Sequence, residues 1–159
     1  MLKWLGRYLA WLSAALAVVG LFLAGSAWQH ARHIDVVMRD GSTAQALIEG
    51  AEAVTRKNVL SHTVNLAWKT GNGEVTQAQS VPISSSYARR IIADGTLVIP
   101  STEIRYLKDP KTKLPVVAPD AAAQKQEANL LMVYGGGATI MGIIGIAVFG
   151  FGRRLGLLR

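Results

Sequence analysis

Hydrophobic and polar positions are sorted along this chain by segment before they are sorted by period. Residues 8–28 carry no charge, nor do residues 129–152, and all ten acidic side chains lie between these runs. Neither run shows a polar face, so a helix built from it must be covered by apolar surroundings all round. A bilayer core of about 30 Å takes about 20 helical residues, and both runs reach that length. Gly135, Gly136, Gly137, Gly142, Gly145, Gly150 and Gly152 would weaken the second helix in water. In lipid a backbone group has no partner but its own helix, and glycine is common. The pattern therefore predicts two transmembrane helices, 8–28 and 129–152, with short tails at 1–7 and 153–159.

Between the runs the period changes. "QHARHIDVVMRD" continues the first helix over 29–40, to Gly41. In "TAQALIEGAEAV" Ala44, Ala46 and Ile48 alternate. In "TVNLAWKT" Val64, Leu66 and Trp68 share one face. "GNG" at 71–73 follows, then "EVTQAQSV" with Val75 and Val81 in phase. Alternating runs around Asn-Gly predict a hairpin. "SSSYARRIIADG" predicts a short helix, with a serine cap, Tyr87 and Ile91 on one face, and Gly95 at its end. Leu97 and Ile99 begin another strand, Pro100 breaks it, and Ile104 and Tyr106 resume it. "KDPK" turns, and "LPVV" at 114–117 adds a last strand, with Pro115 marking an edge. Pro119 ends it, Asp120 is placed to cap, and an alanine-rich linker over 119–128 leads into the second span.

The fold class is thus membrane α+β. Two transmembrane helices flank a small β-barrel or sandwich over 41–118, with about five strands and one short helix. The net charge of +7 does not change this picture. Lys3, Arg7, Arg153, Arg154 and Arg159 lie outside the two runs, and the 12 basic residues elsewhere nearly balance the 10 acidic ones. A nucleic-acid partner would need its cations on the folded domain, so none is expected. Short basic tails instead place both termini in the cytoplasm, with the central domain on the other side of the cytoplasmic membrane, the periplasm in a diderm bacterium. Lys3 and Arg7 before an apolar run also fit a signal peptide, with "AGSA" at 24–27 as its cleavage site. The 20-residue apolar stretch, longer than the usual ~7–15, favours an uncleaved anchor.

Candidate chemistry is sparse. The chain lacks cysteine, which excludes disulfides and thiolate metal sites. His30 and His33 have a spacing that can bring two imidazoles to one metal, but no third ligand stands out. Ser84, Ser85 and Ser86 lack a visible base. Arg89 and Arg90 beside Tyr87 read as the wet face of a helix, and Glu103 and Arg105 as the wet face of a strand. No catalytic, metal or cofactor-binding residue is assigned and no cofactor is expected. The readable pattern is one of packing: Gly20 with Ala24, and Ala138 with Gly142, are small-xxx-small pairs that let helix backbones approach closely, within the chain or between copies.

"EIRYLKDPKTKLPVV" at 103–117 resembles the closing motif of a bacterial membrane family known as domain of unknown function 3592. Ile104 and Tyr106 fill its strand positions, Asp109 and Pro110 its turn, and Leu114 its apolar end. "RDGSTAQALI" at 39–48 is similar to the family's opening strand, and "NLAWKTGNGE" at 65–74 to its central hairpin. Pro100 and Ser101 are an insertion relative to that pattern. The resemblance implies a β domain between two helices and no activity.

Two functions are compatible with this reading. One is a non-enzymatic envelope protein that presents its β domain to a partner: a homo-oligomer or a larger membrane assembly in which it is an accessory subunit. The other is an extracytoplasmic sensor of a small ligand, signalling through a partner.

Overall fold

The structure, a computed structural model, describes residues 2–56, 59–93, 96–107 and 114–151. The chain forms two compact units. One comprises Met1–His30 and Ala128–Arg159, the other Ala31–Glu127.

The first unit is helical. Helix α1 runs unbroken over Leu2–Asp40 and thus contributes to both units. Helix α3 covers Ala121–Ile146 and widens into a π turn over Ala147–Phe151. Two helices are long and apolar enough to cross a membrane, and only 6% and 11% of their most apolar windows are buried. That low burial separates them from the core helices of a soluble fold, whose apolar stripes are covered by the protein itself. Gly152 and the expected tail 153–159 lie outside the described residues.

The second unit is built on strands β1 (Ser42–Arg56), β2 (Val59–Lys69) and β3 (Val75–Ile83). Helix α2 (Ser85–Ile91), a ribbon of β4 (Ile92–Ala93) with β5 (Thr96–Leu97), β6 (Ser101–Tyr106) and β7 (Val116–Val117) follow. Five strands form one curled antiparallel sheet in the order β3-β2-β1-β6-β7. Leu97 belongs to the small ribbon rather than to the strand of Ile104. The β2–β3 connection is the five-residue segment 70–74, tightest at 71–73. Gly73 closes it at φ +81°, a conformation open to glycine, and donates to the Thr70 carbonyl at 2.8 Å.

Val64, Leu66 and Trp68 point to one face and join Ala46, Ile48, Ala78, Val81, Ile83, Ile104 and Tyr106 in the core. The tilted rings of Trp68 and Tyr106 lie 5.7 Å apart. Tyr87, Ala88 and Ile91 lay one face of α2 on the same core.

Val75 and Val81 do not share a face: Val75 is exposed and Val81 fully buried. Gln79 and Ser80 together oppose Asn65, and this bulge reverses the alternation between Ala78 and Val81. Ser80 adopts φ 54°, and its N–H donates to Asn65 Oδ1 at 3.0 Å. An L-residue in that region pays about 1–2 kcal/mol, more than the entropy cost of glycine there. Ser80→Gly is therefore expected to stabilise the domain by about 0.5–1 kcal/mol, seen as a higher urea midpoint. A bulge between Ile48 and Gly50 does the same to β1, also opposite Asn65.

Helix α2 ends at Ile91, with Ile92 already extended, earlier than the expected stop at Gly95, which lies outside the described residues. Arg105 is not wholly on a wet face. It is half-buried and its guanidinium donates to the Met38 carbonyl, one of the free carbonyls at the end of α1. Helix α1 stops at Gly41, where a Cβ would collide with the Val37 carbonyl oxygen.

Candidate functional site

Two constructions hold the molecule together, one in each unit. The first is a seam of small residues between α1 and α3. A Cβ built on Gly20 would lie 2.6 Å from the Gly135 carbonyl oxygen and 2.6 Å from the Thr139 nitrogen. One built on Gly135 would lie 2.7 Å from the Ala24 nitrogen, and one on Gly142 2.6 Å from the Ala17 nitrogen and the Ser13 oxygen. Ser13 also meets Gly145. Contacts that run 24 with 135, 20 with 139 and 13 with 145 make the two helices antiparallel. The contacting positions recur every three or four residues, the spacing that keeps one helix face on its neighbour. The seam hydroxyls are satisfied within their own helices: Ser13 donates to the Leu9 carbonyl and Thr139 to that of Gly135, each at 2.8 Å. No polar group needs water there. Leu21, Phe22, Val133, Tyr134, Ile140 and Met141 remain exposed around the pair.

The structure thus brings Gly20, Ala24 and Gly142 into one intrachain seam. Ala138 is half-buried, and the nearest atoms to Gly20 come instead from Gly135 and Thr139. Gly136 and Gly137 meet nothing within 4 Å. The three consecutive glycines therefore do different jobs, which their identity alone does not reveal.

The second construction is a buried polar clamp. Asp120, 1% exposed, accepts from the Ser84 N–H at 2.7 Å, from the Ser84 hydroxyl, and from Gln124 Nε2 at 2.9 Å. Gln124 also donates to the Pro82 carbonyl at 3.0 Å. Ser84, itself fully buried, caps α2 by accepting the Tyr87 N–H. Pro82 belongs to edge strand β3, and Asp120 follows edge strand β7 in a 3-10 turn over Ala118–Asp120. The clamp therefore ties the exits of both edge strands to each other by side chains. The sequence places Asp120 to cap the following helix; in the structure its carboxyl serves the start of α2 instead. Of the three serines, Ser84 is deeply buried and serves as the cap, Ser85 is half-buried and Ser86 is exposed. Tyr87 reaches Thr102 of β6 at 2.7 Å and pins α2 to the sheet.

The remaining candidates are dispersed. His33 Nε2 contacts the Leu114 carbonyl at 3.0 Å. Among the described residues no group of three or more His, Cys, Asp or Glu side chains is placed to hold a metal ion. Arg89 and Arg90 are exposed. Ile104 and Tyr106 are core residues on β6, paired with Ala44 and Ser42 of β1. Asp109 and Pro110 lie outside the described residues. Comparison of the chain with family models, curated proteins and solved structures gave no match.

Proposed function

We propose that the chain is a non-enzymatic membrane protein of the bacterial envelope, related to domain of unknown function 3592. Both its termini lie in the cytoplasm and its β domain on the opposite side, where it serves as a partner or accessory subunit of a larger assembly. The observation that carries this reading is the helix pair: Gly20, Gly135, Gly142 and Gly145 face the neighbouring helix and large apolar side chains face outward. Lipid is the solvent that rewards that arrangement, because association in a bilayer rests on close packing rather than on hiding apolar surface. The Ser84–Asp120 pair supports a structural role for the domain, since its polar groups are spent on holding the fold.

Alkaline carbonate washing of membranes is expected to leave the protein in the pellet. A single cysteine at Glu74, an exposed turn residue, should react with an impermeant maleimide added outside spheroplasts, and one at Lys3 only after permeabilisation. Release by carbonate, or the opposite labelling pattern, overturns the location. Purification in mild detergent tests the role: co-purifying chains or self-association are expected, and a strictly solitary monomer counts against it.

A further inference from the structure

Strand β1 is longer than the strand beside it. β6 pairs with β1 only from Ser42 to Leu47, and the last bond on that side runs from the Ile48 N–H to the Pro100 carbonyl at 2.8 Å. β1 nevertheless continues to Arg56, paired on its other side with β2 as far as Arg56↔Val59. Among the described residues, none pairs with residues 50–56 on the β6 side. A free edge of this length is a template for another strand. Before the bulge, Ile48 turns its backbone groups to that side. The extra residue at Glu49–Gly50 reverses the parity, so Ala51, Ala53 and Thr55 turn theirs to the open edge.

We propose that this edge pairs with the same edge of a second copy of the chain, antiparallel and centred on Val54. Three features select a second copy. Two-fold symmetry puts position 52 of each copy opposite position 56 of the other, twice over; the sequence has a glutamate at 52 and an arginine at 56, and opposite charges at such cross-strand positions favour the register. Val54 and its symmetry mate form a pair without mutual backbone bonds, the closer type, flanked by bonded pairs of Ala53 with Thr55. No proline interrupts residues 50–56, whereas edge strand β3 is spoiled by the Ser80 bulge and Pro82. The proposal names the partner for the interaction role given above, and it rests on that reading of the β domain.

Because the chain has no cysteine, single-cysteine variants of the full protein in detergent give a clean test. Val54→Cys is expected to form a disulfide-linked dimer under mild oxidation at least about tenfold faster than Ala53→Cys or Thr55→Cys, because only position 54 lies opposite its own mate, in a close unbonded pair that suits disulfide geometry, whereas 53 lies opposite 55 of the other copy. In the Val54→Cys background, Glu52→Arg or Arg56→Glu should slow cross-linking about tenfold, and the two together should restore it. Equal rates at all three cysteine positions, or a charge swap that fails to rescue, overturn the proposal. If cross-linking fails while other chains still co-purify, edge pairing falls and the interaction role stands; a solitary monomer that does not cross-link removes both.

Discussion

Gly142→Leu is expected to separate α1 from α3. A Cβ at this position already meets the Ala17 nitrogen and the Ser13 oxygen at 2.6 Å, and the Ala17 Cβ at 2.7 Å. Two of those three obstacles are backbone atoms of a helix, which cannot turn aside as the end of a side chain can. The helices must move apart, and every contact along the seam weakens with distance. Overpacking of this kind costs about 1–3 kcal/mol, and a clash with backbone belongs at the upper end, about 3 kcal/mol. Gly136→Leu is the control. Its Cβ meets nothing within 4 Å, and leucine is the better helix former by up to about 1 kcal/mol. Thermal unfolding in detergent should show Gly142→Leu well below the parent and Gly136→Leu at or above it. Equal melting of the two variants would remove the seam as the cause of helix pairing.

The other large effect is expected at Asp120. Alanine there leaves the Ser84 N–H buried with no acceptor and removes one partner each from the Ser84 hydroxyl and Gln124. An unsatisfied buried donor costs about 1–3 kcal/mol, and the lost bonds to the carboxyl add to it. The expected loss is roughly 3–4 kcal/mol, a large share of the 5–15 kcal/mol that holds a typical domain. Asp120→Asn is a sharper probe. Its carbonyl can still accept from Ser84 and Gln124. Its amide can donate to the Ser84 hydroxyl, whose own proton can turn to Ser86, 2.9 Å away. That variant should lose only about 1 kcal/mol. Urea titration followed by Trp68 fluorescence reads both in a background where Trp4, Trp11 and Trp28 are replaced by phenylalanine, since Trp68 is 2% exposed in the core. A near-neutral Asp120→Ala would mean that the clamp does not hold the sheet edges.

Much of the fold was legible along the chain because it follows from local periodicity. The two uncharged runs, the Val64-Leu66-Trp68 face, the hairpin at 71–73 and the serine-capped helix each depend on neighbours within a few residues. The misreadings also have local causes. Ser80 and Glu49 give no sign of a bulge, yet each shifts the alternation by one, and so Val75, in phase with Val81 along the sequence, lies on the opposite face. The pairing of β1 with β2, which runs to Arg56↔Val59, has no local signal, because no glycine lies between those two residues. Asp120 looked like an ordinary cap because its partner Ser84 lies 36 positions away.

The sequence by itself determined where apolar surface goes: two charge-free stretches that must be helices, and an alternating centre that must bury one face. It also supplied the glycines and the short side chains. Which of those glycines meet a neighbouring backbone, and which carboxyl ties two strand edges together, only the tertiary structure decided. The physical reason is range. Hydrophobic period is local, set in a helix by bonds to residues four places away and in a strand by the alternation of the pleated backbone, whereas close approach and buried hydrogen bonds depend on which distant segments the fold sets side by side.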